Sequence, residues 1–140
     1  MGPGVLTGPF ARVDGELRCG ATTAEELAER YGTPLYVYDL PWIRSRVRAF
    51  QKAFAGIDHL LAYSVKANGN LTLLRELRAL GCGADITSAG ELFRAIRAGI
   101  PAEDIVFAGV GKSKAEISAA LDAGILAFNV ESRSELERID

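Results

Sequence analysis

Apolar residues return along this chain in two alternating rhythms. Short apolar runs suit buried strands, and between them apolar positions recur every three or four residues, the spacing of a helix with one buried face. From His59 the alternation becomes a repeat of strand, cap, helix and glycine. The first strand is His59-Leu60-Leu61-Ala62-Tyr63-Ser64-Val65-Lys66, followed by the turn-rich Ala67-Asn68-Gly69-Asn70. The second is Ala84-Asp85-Ile86, the third Ile105-Val106-Phe107-Ala108 and the fourth Leu126-Ala127-Phe128-Asn129-Val130. Ser88, Ser113 and Ser132 follow the last three strands, each with glutamate three positions on. That is the pattern of a capping box, in which serine and glutamate satisfy each other's backbone N–H groups. Gly99 and Gly124 stop two of the helices, and the last helix runs to Asp140.

Before His59 the pattern is less regular. Met1-Gly2-Pro3-Gly4 reads as disordered, and residues up to Cys19 suggest a strand pair turning at Asp14-Gly15. Thr23-Ala24-Glu25-Glu26 is a fourth capping box, opening a helix that Gly32 ends. Leu35-Tyr36-Val37-Tyr38 after Pro34 reads as a short strand. Asp39 caps the next helix, Pro41 lies in its first turn, and Trp42, Ile43, Val47, Phe50 and Phe54 fall near helical spacing before Gly56.

Strand alternating with helix predicts parallel strands joined by right-handed crossovers. A doubly wound open sheet and a (β/α)8 barrel both satisfy this. No strand leads into G-x-G-x-x-G, and the compact, near-identical units favour the barrel. A barrel takes eight units and about 250 residues, so four units make only its first half. Residues 1–140 then leave two strand edges unpaired and are not expected to form a stable, active monomer alone.

Totals narrow the function more than the fold. A net charge of -2 without a basic block argues against a nucleic-acid partner. The chain has no long apolar run to span a membrane and no secretory signal, which makes a cytoplasmic location the expectation. Cys19 and Cys82 lie far apart and His59 is the single histidine, so no metal site is expected.

The residue that draws attention is Lys66, at the carboxyl end of the first repeat strand. Parallel α/β folds place chemistry there, and burial would favour its neutral, nucleophilic amine. The alternative is a strand-end lysine with its head in water. Ala62 falls on the same strand face as Lys66 by the period of two, a small residue that leaves room or merely fills core. Gly109-Val110-Gly111-Lys112-Ser113 looks like a phosphate loop, but a Walker loop needs glycine at position 106, which is Val106. It reads as an ordinary strand-to-helix turn. His59 and Cys82 read as structural.

Five segments together carry a family resemblance. They are Gly32-Thr33-Pro34-Leu35-Tyr36-Val37-Tyr38-Asp39, Tyr63-Ser64-Val65-Lys66-Ala67-Asn68, Ala84-Asp85-Ile86-Thr87-Ser88-Ala89-Gly90-Glu91-Leu92, and the stretch from Val106 to Ser113 continued by Phe128-Asn129-Val130-Glu131-Ser132. In order and spacing they resemble the pyridoxal-phosphate-dependent decarboxylases of the alanine-racemase-like barrel, fold type III. The resemblance covers about residues 30–140. It implies that residues 39–140 are the first half of the cofactor-binding barrel and residues 1–38 a segment of a β-domain. It implies that Lys66 holds pyridoxal 5′-phosphate as an internal Schiff base, with Asp85 and Glu91 at acidic positions near the cofactor. The residue-level alternatives are a solvated or capping aspartate for Asp85 and a capping-box role for Glu91. The implied reaction is decarboxylation of meso-diaminopimelate to L-lysine, in a cytoplasmic homodimer with a shared active site. Sister activities on ornithine, arginine or carboxynorspermidine, or a non-catalytic cofactor-binding barrel, are the alternatives. The family's phosphate-binding loop, ring-stacking histidine and pyridine-nitrogen glutamate come later in the barrel, so the chain looks like an N-terminal fragment.

Overall fold

The computed structural model describes residues 8–140. They divide into two compact units, one ending at Arg46 and the other Val47–Asp140. The expectation of disorder at Met1–Gly4 falls outside the described residues.

In the first unit, β1 (Phe10–Val13) and β2 (Glu16–Cys19) form the antiparallel pair that Asp14-Gly15 predicts, with β3 (Thr22–Thr23) added on the far side of β2. Both turn residues have positive φ, +53° at Asp14 and +88° at Gly15, which is why aspartate and glycine stand there. Helix α1 (Ala24–Tyr31) opens on the complete Thr23–Glu26 capping box. Residues 35–38 form no strand ladder. Their alternation reports side-chain environment instead. Val37 is half-buried against an apolar cavity of about 180 Å³ with Phe10, Cys19 and Leu27, Leu35 lies at its rim and is 39% exposed, and Tyr36 is 86% exposed. An alternating pattern records which side chains are covered, not whether the backbone has a partner. Helix α2 (Leu40–Ala53) starts where the Asp39 carboxylate accepts from the Trp42 N–H at 2.6 Å.

The second unit holds a four-stranded parallel sheet in the order β4 (Ala62–Ser64), β5 (Gly83–Ile86), β6 (Ile105–Phe107), β7 (Ala127–Phe128). The connecting helices are α3 (Leu71–Ala79), α4 (Ala89–Ala98) and α5 (Lys114–Ala123), and α6 (Arg133–Ile139) follows the last strand. Consecutive strands are neighbours, the arrangement that the repeat predicts. Gly83 is required by the crossing of chains, since a Cβ there would collide with the Asp104 carbonyl oxygen.

Register sorts the side chains into two faces. Tyr63, Ala84 and Ile105 make one row, and Ile86, Phe107 and Phe128 a second on the same face. Ala84, Ile86, Ile105 and Phe107 are all 0% exposed, packed with Leu74 of α3, Leu92 and Ala95 of α4 and Ala120 of α5. Each large side chain so buried contributes about 1.5–3 kcal/mol. The opposite face carries Ala62 and Gly83, then the row Ser64, Asp85, Val106, Ala127. It is small and partly polar, not apolar.

The strands are shorter than the apolar runs suggest. β4 begins only at Ala62, and His59 and Leu60 are exposed. The ladder cannot start earlier because its neighbour β5 begins at Gly83, opposite Ala62. At the other end Val65–Ala67 turn into a short 3-10 helix. The period of two therefore stops before Lys66, and the expected sharing of a strand face by Ala62 and Lys66 does not hold.

Candidate active site

Parallel strands deliver their carboxyl ends to one edge. Lys66 follows β4, Thr87 to Glu91 follow β5, Gly109 to Ser113 follow β6, and Asn129 to Glu135 follow β7. All expected site residues except Ala62, which lies within its strand, are thus at or next to this edge.

Lys66 sits in the 3-10 turn and is exposed. The expected burial of its amine is absent because the chain leaves the sheet one residue before it. Val65 takes the buried place instead, at 1% exposure. Asp85 stands beside Ser64 in the ladder, both on the face away from the helices. The Asp85 Oδ1 and Ser64 Oγ atoms are buried and have no hydrogen-bond partner. Leaving such an atom unpaired costs about 1–3 kcal/mol. Folds tolerate that cost where a ligand is to be received. Ala62 and Gly83 behind them add almost no side-chain volume.

Glu91 does something other than close its own capping box. Its N–H donates to Ser88 Oγ at 3.3 Å, as expected, but its carboxylate accepts from the Thr87 N–H at 2.7 Å and faces the Thr87 hydroxyl. Every contact found for it fixes the β5–α4 turn, so it shapes the edge rather than facing Asp85 and Lys66.

The same edge holds a group that the sequence placed only in an ordinary strand-to-helix turn. Lys112 is 2% exposed, and its Nζ donates to Gly109 O at 2.6 Å, Asn129 O at 2.9 Å and Glu135 Oε1 at 2.6 Å. Glu135, 1% exposed, also accepts from the Glu131 N–H at 2.8 Å. Lys112 thus ties the loops after β6 and β7 together. The Glu131 N–H first, then Lys112, holds the Glu135 carboxyl below its usual range. A serine-to-glutamate spacing signals only the helix start, so neither Lys112 nor its distant partner was legible. Burial raises the pKa of the Cys82 thiol; Cys19 is raised by burial and the neighbouring Asp39. Both shifts favour the protonated thiol. Among the described residues no cluster of histidine, cysteine, aspartate or glutamate could hold a metal ion.

The edge therefore offers an exposed primary amine, a carboxylate and a hydroxyl with unpaired buried atoms, small side chains beneath, and loops braced by an ion pair. This donor set fits a carbonyl-bearing cofactor that an amine can capture.

Comparison with known proteins points the same way. Residues 40–140 match the family model for the pyridoxal binding domain of pyridoxal-dependent decarboxylases. Diaminopimelate decarboxylase from Aquifex aeolicus is 53% identical over 124 residues, which is 89% of this chain and 29% of that protein. The enzyme of the same name from Pseudomonas aeruginosa is 45% identical over 93% of this chain and 31% of its own. A crystal structure of diaminopimelate decarboxylase from Helicobacter pylori, complexed with L-lysine, superposes with a TM-score of 0.75 at 46% identity, covering 82% of this chain and 29% of that one. The chain thus spans about three tenths of the length of the curated relatives it matches.

Proposed function

The chain belongs to the pyridoxal-dependent decarboxylases through their pyridoxal binding domain, and from that membership we propose that it serves the decarboxylation of meso-diaminopimelate to L-lysine, with pyridoxal 5′-phosphate as cofactor. The observation that carries this reading is the carboxyl edge, where exposed Lys66 lies two residues beyond Ser64, and Ser64 and its ladder partner Asp85 each carry a buried, unpaired polar atom. The choice of substrate is supported by relatives of that name at 45–53% identity. A lysine/ornithine decarboxylase of Vibrio vulnificus is more distant, at 31%.

Lys66 is the nucleophile that takes the cofactor covalently. Its amine must lose a proton to react, and a turn open to solvent lets that proton leave. When bound, the cofactor supplies the electron sink that decarboxylation needs. Asp85 is the acceptor beside it. An unpaired carboxylate oxygen at the strand end can hold a hydrogen on the lysine nitrogen and fix its direction. Ala62 keeps the floor low, and Glu91 acts by holding the β5–α4 turn. Lys112 and Glu135 brace the two loops that follow.

The four parallel units are the first half of a (β/α)8 barrel, residues 39–140, with residues 1–38 contributing to a β-domain. The full-length enzyme is a cytoplasmic homodimer whose active site both subunits complete. No helix among the described residues is long and apolar enough to cross a membrane.

Incubating the full-length protein and cofactor separately with meso-diaminopimelate, ornithine, arginine and carboxynorspermidine tests the reading. Carbon dioxide release should be fastest with meso-diaminopimelate. Faster release from another substrate would move the protein to a sister activity. Cofactor binding without release from any would make it a non-catalytic barrel.

A further inference from the structure

Ser64 enters the reading above only as an unpaired hydroxyl, with no contact assigned to it. It lies directly beside Asp85 in the β4–β5 ladder and faces away from the helices. Its Oγ is buried, yet neither a backbone carbonyl nor Asp85 pairs with it. The neighbouring positions on that face, Ala62, Gly83 and Val106, have no polar side-chain atom to offer. A serine that served the fold alone would be paired or would be alanine, because an unpaired buried hydroxyl only costs stability.

The two unpaired atoms also differ in chemistry. A carboxylate only accepts, whereas a hydroxyl can donate. Side by side they suit a ligand that presents a hydrogen to one and an oxygen to the other. A pyridoxal ring joined to a lysine has that pair, with the lysine nitrogen adjacent to the ring oxygen. Lys66 is two residues beyond Ser64, in the turn that follows the same strand.

We propose that Ser64 is a cofactor-contact residue whose hydroxyl donates a hydrogen bond to the pyridoxal cofactor carried by Lys66, beside the Asp85 carboxylate. This rests on the pyridoxal reading above and adds to it a residue that recognises the ring.

The test uses the full-length protein, stripped of cofactor and titrated with pyridoxal 5′-phosphate by its absorption when bound. Ser64→Ala should raise the Kd about 5- to 15-fold, the worth of one hydrogen bond. The melting temperature of the cofactor-free protein should stay level or rise, because an unpaired buried hydroxyl has been removed. Ser64→Thr, which keeps the hydroxyl, should retain most of the affinity. Lys66→Ala and Asp85→Asn are the reference arms. If both weaken binding while Ser64→Ala does not, the Ser64 assignment is overturned and the pyridoxal reading stands. A lower cofactor-free melting temperature with unchanged Kd would make the hydroxyl structural and also overturn it. If none of the three alters binding, the pyridoxal reading falls, and this inference with it.

Discussion

Along β5, Ala84 and Ile86 point one way and Gly83 and Asp85 the other, and the two faces of the sheet they help build could hardly differ more. On the helix side, four strand residues are 0% exposed and each meets apolar side chains from α3, α4 or α5. On the other side small residues alternate with polar ones, and two buried polar atoms have no partner. One face is finished by residues within this chain; the other keeps two buried polar atoms that no residue of the chain pairs. The pleat lets a strand a few residues long serve both purposes, because neighbouring positions never share a face. Stability and chemistry are separated by one peptide unit.

The strongest way to break this contrast is Lys66→Ala in the full-length enzyme. It should lower carbon dioxide release by several orders of magnitude while leaving the far-ultraviolet circular dichroism unchanged. Borohydride reduction of the loaded wild type followed by peptide mapping should mark Lys66. A mark on Lys112 or Lys114 would sink the assignment; the Lys112 amine is already held by three acceptors.

From the packed side, Phe107→Ala should cost about 3–5 kcal/mol in denaturant unfolding. A loss under 1 kcal/mol would show that the helix face is not the core.

Carboxylates sharpen the contrast further, since Glu116 and Glu135 have partners where Asp85 Oδ1 has none. The Ser113 N–H, then the Ala89 N–H, hold the Glu116 carboxyl below the ordinary carboxylate range, and Glu135 is lowered as well. A carboxyl with a lowered folded pKa contributes stability that is fully present above its unfolded value. That contribution is lost as pH falls through the folded value. Stability should therefore drop on acidification below about pH 4.5, and Glu135→Gln should flatten that drop. An acid limb unchanged by Glu135→Gln would remove the ion pair from the account.

The smallest effect on stability is expected for Ala62→Leu, about 0.5 kcal/mol or less in denaturant unfolding, because Ala62 is only half-buried and outside the core. Pyridoxal 5′-phosphate should nevertheless bind more weakly, since the added side chain occupies the open face. A stability loss rivalling that of Phe107→Ala would erase the distinction between the faces.

The helix face was legible in the sequence because apolar burial leaves a period. The serine caps and glycine stops were legible for a similar reason, each being a local contact. What failed to show was whatever depends on a distant partner. β4 is trimmed by where β5 begins, Leu35–Tyr38 alternates without a ladder, and Lys112 meets Glu135 across 23 positions. Lys66 was found by its place in the strand order and by resemblance, while its exposure followed from a turn that no periodicity announces. Ser64 was passed over because a serine within a strand looks unremarkable until its missing partner is seen.

The capping glutamates have a consequence that reaches past their own helices. Glu116 closes its box with Ser113 and also accepts from the Ala89 N–H of the preceding unit at 3.1 Å. Glu135, one unit later, reaches back to Lys112. The third and fourth units are thus each stitched to the one before along the carboxyl rim. In amide exchange, Ala89 should open together with the start of α5 rather than with α4 alone. The rim then behaves as a seam, holding its loops in common against the motions of any single unit.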